Sequence, residues 1–165
     1  MAAFDEYTDV VTDEQLWALY ILGHRYVLPN GQSVRVPQSA AWCYDCETVV
    51  AAERIPDNFE IEHHRNELLK TLAGIKTNLS FLFDDLTSVQ AELEMQEALW
   101  AAFSSRTTPA QCLTCFGTRL FSLQFQLEDE THVPNGPRLR YTSHGMADCG
   151  IEKVLTLDIH GNKIG

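Results

Sequence analysis

The sequence predicts an α+β fold, a small antiparallel β core interrupted by a long helical hairpin insertion. Three observations predict it. Two Cys-x-x-Cys pairs, Cys43/Cys46 and Cys112/Cys115, stand far apart along the chain. Short β-like segments flank both pairs. Between the pairs, residues 57–104 carry an apolar heptad, and there is no proline between Pro56 and Pro109.

The pairs carry the most specific chemistry. Two thiols two residues apart let one backbone turn aim both sulfurs at a single point. Two such turns facing each other give four thiolates in a tetrahedron, the geometry of a closed structural Zn²⁺ site. Cys43, Cys46, Cys112 and Cys115 are therefore the expected metal ligands, with structural Zn²⁺ as the cofactor and a core of zinc-ribbon or rubredoxin-like type. The alternatives are four unrelated buried cysteines, or a thioredoxin-like redox motif. A redox motif needs one pair at the end of a strand that opens a helix. Neither pair sits in that setting. Knuckles of this kind commonly lie ~15–20 residues apart. Here Glu47 to Gln111 intervene, so the insertion has to fold back on itself.

With 165 residues the chain is long enough for a single domain, 1–165, with a core of its own. Its parts are an N-terminal helix or hairpin with the first knuckle (12–56), the helical insertion (57–104), and the second knuckle with C-terminal strands (105–165). The start, Met1-Ala2-Ala3-Phe4-Asp5-Glu6, turns acidic at once and does not read as a secretory leader. No apolar run reaches the ~20 residues needed to span a bilayer. Five cysteines, four of them in metal spacing, suit a reducing compartment; a cytoplasmic location is expected. The net charge of −11 disfavours a sequence-independent grip on nucleic acid, which needs clustered Lys and Arg. It suits a basic protein partner.

Taken in order, residues 1–11 read as a ragged terminus. Thr12-Asp13-Glu14-Gln15 reads as a capped helix start, with Leu16, Leu19, Tyr20 and Gly23 on one face. The apolar run from Trp17 to Leu22 leaves a buried strand as the alternative. Tyr26 to Val36 reads as a hairpin around Asn30-Gly31. The phrase Val133-Pro134-Asn135-Gly136 repeats the same turn chemistry. Residues 40–55 give strand, knuckle, strand. In the insertion, Ile61, Leu68, Leu72, Ile75, Leu79, Leu82, Leu86, Val89 and Leu93 follow heptad steps, extended by Trp100 and Phe103. One unbroken helix would separate its ends by ~60 Å, too far for Cys46 and Cys112 to share an ion. The helix must break, either at Gly74 to Asn78 or, preferably, at Phe83 to Thr87, where Thr87 and Gln90 form a capping box. A dimeric coiled coil is the other use of such a stripe. Beyond the second knuckle, Thr118–Leu127, Arg138–Thr142 and Val154–Ile159 read as strands, with a turn at Glu128-Asp129-Glu130.

Other candidates for chemistry are few. His144-Gly145-Met146-Ala147-Asp148-Cys149-Gly150 reads as a tight turn near the ribbon. Cys149 reads as packed against the ribbon; the alternatives are that His144 and Cys149 serve as metal ligands or as a nucleophile with its base. His63 and His64 are helical neighbours that point about 100° apart, so they cannot easily share one ion. Glu92, Glu94 and Glu97 read as a solvated helix face. Arg35, Arg54, Arg138 and Arg140 are the residues on which nucleic-acid binding would depend. No G-x-S-x-G, P-loop, G-x-G-x-x-G or H-E-x-x-H is present.

The first knuckle with Ala52-Glu53-Arg54-Ile55-Pro56, then Arg106-Thr107-Thr108-Pro109-Ala110-Gln111 and the second knuckle, then His144 to Gly150, resemble a loose group of bacterial proteins that carry a split zinc ribbon. The resemblance implies the zinc fold and no activity. The group tends to have Cys-Gly after the second knuckle and a compact His-Pro-x-Cys-Gly-Gly near the end. Here Phe116 precedes Gly117, and the last motif is spread. The functional expectation is a non-enzymatic, zinc-stabilised, acidic protein-binding module, an inhibitor or immunity-type protein being one form. An enzyme using His144 and Cys149, or a nucleic-acid-binding ribbon, is the alternative. A homodimer through the insertion is a further possibility.

Overall fold

Burial in steps of two makes the first strands. In β1 (Ala2–Asp9), Asp5 and Tyr7 are buried between half-exposed neighbours. In β2 (Gln15–Ile21), Ala18 and Tyr20 face inward while Trp17 and Leu19 face out. The computed structural model describes residues 2–77, 83–123, 130–147 and 153–164. After β2 come β3 (Arg25–Val27), β4 (Ser33–Arg35), β5 (Gln38–Cys43) and β6 (Thr48–Glu53). The helices α1 (Asn58–Thr77) and α2 (Phe83–Ser104) follow. The chain then adds β7 (Leu120–Ser122), β8 (Glu130–His132), β9 (Arg138–Ala147) and β10 (Thr156–Asp158).

These strands form three sheets. The first has the order β2-β1-β9-β8 and is antiparallel throughout. The second, β10-β3-β4, sets β10 parallel to β3. The third, β6-β5-β7, is antiparallel and carries the cysteines. The largest fully buried side chains, Tyr7, Tyr26, Leu139 and Leu157, come from the first two sheets. Helix α2 reaches this core with Leu99, Ala102 and Phe103. Phe103 meets Tyr26 edge-on, with ring centroids 5.7 Å apart. Helix α1 lies outside α2 and is tied to it by the Arg65–Glu97 ion pair.

The two Asn-Gly phrases close with the same backbone hydrogen bonds but bend at different residues. Leu28 N donates to Gln32 O and Gly31 N to Leu28 O, both at 2.8 Å. Val133 N donates to Pro137 O and Gly136 N to Val133 O, both at 3.0 Å. The left-handed position is Gly31 in the first and Asn135 in the second, two residue types that tolerate positive φ.

The expected fold class is corrected by this architecture. The chain is mainly β, with ten strands in three sheets among the described residues, rather than a ribbon core governed by a long helical hairpin. Its helices hold 20 and 22 residues. The preferred break at Phe83 to Thr87 falls inside α2, and the other candidate overlaps the last residues of α1. Residues 78–82 lie outside the described residues. The terminus read as ragged is an inner strand, held from Ala2↔Ala147 to Asp9↔Leu139 on one side and by β2 on the other. The helix read from Thr12 is a turn and strand: Asp9 N donates to Glu14 O at 2.9 Å, and Asp13 takes φ 61°. The physical reason is non-local. Pairing with β9 satisfies the backbone of β1, and no signal near residue 5 announces a partner near residue 144. Likewise His144 to Ala147 is strand and not turn. The strand read through Leu127 is described only at Leu120–Ser122; Phe125, Leu127 and most of the Glu128–Glu130 turn lie outside the described residues.

Candidate metal centre

The first Cys pair is the β5–β6 turn. Cys43 closes β5 opposite Thr48, and Cys46 follows in the turn. The second pair is stitched to the same sheet. Glu53 N donates to Gln111 O at 2.9 Å and Leu113 N to Ala51 O at 3.1 Å, with an Ala52↔Cys112 bridge between them. Strand β7 then pairs with β5, placing Leu120 opposite Cys43. Both turns are shaped alike. The residue after the second cysteine takes a left-handed backbone in each, Glu47 at φ 52° and Phe116 at φ 62°. Gly117 is needed for closeness: a Cβ there would meet Asp45 Oδ2 at 2.2 Å and Cys115 Sγ at 3.2 Å. Asp45 is in turn paired with Arg119.

This construction brings the four sulfurs within 4.8 Å of one another. Cys43 Sγ lies 3.6 Å from Cys115 Sγ, and Cys46 Sγ lies 3.9 Å from Cys112 Sγ. A tetrahedron with metal–sulfur bonds of ~2.3 Å has sulfur–sulfur edges of about 3.8 Å. A disulfide needs about 2.05 Å. The spacing is that of ligands around one ion and not of bonded pairs. Backbone N–H groups point at the second pair: Thr114 N at 3.3 Å and Cys115 N at 3.5 Å from Cys112 Sγ, and Gly117 N at 3.4 Å from Cys115 Sγ. Such donors favour thiolate over thiol. Cys43 and Cys112 are fully buried, Cys46 is half-buried, and Cys115 is exposed. Burial, then the neighbouring sulfurs, push the Cys46 thiol up, and burial pushes Cys112 up as well. At Cys115 burial also opposes ionisation, but the Gly117 N–H and the other three sulfurs outweigh it and the thiol is lowered. An all-thiolate donor set of this size fits a borderline-soft tetrahedral ion such as Zn²⁺. The residues present could hold one such ion.

No family model, curated protein or solved structure matches the chain. The site therefore rests on its own geometry.

A buried ion pair sets the approach to Cys112. Arg106 grips Glu53 with two bonds, Nη1 to Oε1 at 3.1 Å and Nη2 to Oε2 at 2.6 Å, and both side chains are essentially inaccessible. Tyr26 Oη donates to Glu53 Oε1 at 2.5 Å, and Gln111 N donates to Oε2 at 3.0 Å. Arg106 also donates to Thr108 O and Pro109 O, both at 2.9 Å. Glu53 and Arg106 stood in the sequence only as parts of flanking phrases, and their pairing had no local signal.

The other candidates lie apart from the sulfurs. His144 sits on β9 directly opposite Asp5, with Nδ1 2.8 Å from Asp5 Oδ1. Asp5 is wholly buried; Tyr20 donates to its Oδ2, and Tyr141 Oη lies 3.5 Å from its Oδ1. A register shift between Glu6 and Tyr7 puts Tyr141 rather than Thr142 opposite Tyr7, on the face of Asp5 and His144. Sequence reasoning missed Asp5. Cys149 lies outside the described residues. The four arginines do not form one patch: Arg54 pairs with Glu60, while Arg138 and Arg140 pair with Glu130. Among the described helices, none is long and apolar enough to cross a membrane.

Proposed function

We propose that the chain is a non-enzymatic, zinc-stabilised module that binds a basic protein partner, of which an inhibitor or immunity-type protein is one concrete form. The observation that carries this reading is the four-sulfur cage. Four protein ligands leave no open coordination position for a substrate, which is how structural zinc differs from catalytic zinc. The net charge of −11 supplies the second half, since a strongly acidic surface speeds and selects encounters with a basic one. The test is a pull-down from native extract with the metal-loaded chain. A basic protein should be retained in stoichiometric amount at low salt and released as salt rises. Recovery of no stoichiometric protein, or of nucleic acid alone, overturns the reading.

A second reading, catalysis by His144, has one observation in its favour. A buried carboxylate that fixes one imidazole nitrogen turns the other outward for proton transfer, as Asp5 and His144 are placed to do. Full cellular function in a His144→Gln variant removes it.

A further inference from the structure

We propose that a groove between the second sheet and the start of α1 is a binding site for a small organic anion with a flat, apolar body. The groove encloses about 560 Å³, within the ~300–1,000 Å³ typical of small-molecule sites. Its walls come from three parts of the chain: β4 with the residues after it, the segment between β6 and α1, and the facing sides of α1 and α2.

The base of the groove is apolar. Val34 and Leu99 are buried there, with Ile61 and Met95 beside them. The rim sets two guanidinium groups, Arg35 and Arg54, against one carboxylate, with two imidazoles beside them. In a chain of net charge −11, this groove is lined by Arg35, Arg54, His63 and His64 and by one carboxylate, Glu60. Glu60 is already engaged: it pairs with Arg54 and accepts from Asp57 N at 3.2 Å. Arg35 is not. Its Nε donates to Leu22 O at 3.3 Å, which anchors the guanidinium, and it forms no ion pair among the described residues. An anchored guanidinium with free terminal nitrogens is suited to a carboxylate, sulfonate or phosphate.

The rim also offers a stacking surface. Phe59 is 77% exposed. Its ring lies parallel to that of His63, with centroids 6.3 Å apart and planes 9° from each other. Exposed, pre-stacked rings beside a groove suit a flat ligand. At its inner end the groove adjoins a small recess reached past Ile61, His64 and Leu99 and lined by Trp100. Among the described residues, the Trp100 indole N–H is buried and has no hydrogen-bond partner.

The test titrates the metal-loaded full chain with anilinonaphthalene sulfonate, an aromatic anion whose fluorescence rises on binding. One saturable site with Kd below about 100 µM is expected. The uncharged analogue phenylnaphthylamine should bind at least about tenfold more weakly, and Arg35→Glu should weaken the anion by at least about tenfold. Phe59→Ala, whose side chain is exposed, should weaken both probes without altering the circular dichroism spectrum. The proposal falls if the folded chain shows no saturable binding of the anion. It also falls if the neutral probe binds equally well, or if both variants bind like the parent.

Discussion

Glu53 and Arg106 are charges removed from water, and their worth lies in what happens when one is taken away. Each is fully bonded, so the pair is tolerated where a lone charge would not be. Arg106→Met should therefore destabilise the fold by about 3–5 kcal/mol, read as a lower urea midpoint. Adding Glu53→Gln to that variant should restore part of the loss, because the orphaned carboxylate is gone. At Glu47, exposed and at φ 52°, any side chain with a Cβ meets the left-handed penalty, and a β-branched one meets it most severely. Glu47→Val should cost about 1–2 kcal/mol, whereas Glu47→Gly should stay within about 1 kcal/mol of the parent. Thermal melts of the two variants compare these directly. The cysteines were legible at this scale because ligand spacing is a local property. Asp5, Glu53 and Arg106 were not, because a buried charge is explained only by a partner far along the chain.

At the scale of elements, the β1–β9 contact depends on a missing side chain. A Cβ at Gly145 would lie 2.6 Å from Phe4 Cζ on the neighbouring strand. Gly145→Val should therefore lower stability by about 1–3 kcal/mol. The same substitution in a Phe4→Ala background should cost distinctly less, a coupling that a double-mutant cycle measures. The Asn-Gly turns could be read ahead of the structure, since their chemistry sits within five residues. The heptad lies where α1 and α2 stand, with Leu68, Leu72, Val89 and Leu93 half-buried, but the long helical hairpin read from it is overturned by a fold that is mainly β. The heptad gave no measure of the weight of helix in the fold. That weight was decided by sheets assembled from both ends of the chain, and Ala2 opposite Ala147 leaves no local trace. The run Trp17 to Leu22 was ambiguous in period until β1 supplied its partner.

For the whole molecule, an ion held by the four sulfurs would govern how stability responds to pH. Burial raises the thiols of Cys46 and Cys112, so these two hold their protons at neutral pH in the metal-free fold. Metal entry must expel both. Each expelled proton contributes tenfold per pH unit, so apparent Zn²⁺ affinity should rise by at least about a hundredfold per unit between pH 6 and 8. Competition against a chromophoric chelator measures this. Without metal the sign reverses. A thiol raised in the folded state contributes stability below its unfolded value of ~8.5 and loses it as pH rises beyond. The metal-free protein should therefore melt at lower temperature at pH 9.5 than at pH 7.

The central claim is that four sulfurs from two distant turns hold one ion. Its most direct test is the metal content of the chain purified without added metal, measured by elemental analysis beside the Cys112→Ala variant. The account predicts about one zinc per parent chain and essentially none in the variant. A folded parent chain that carries no metal, and whose unfolding a strong chelator leaves unchanged, would contradict it.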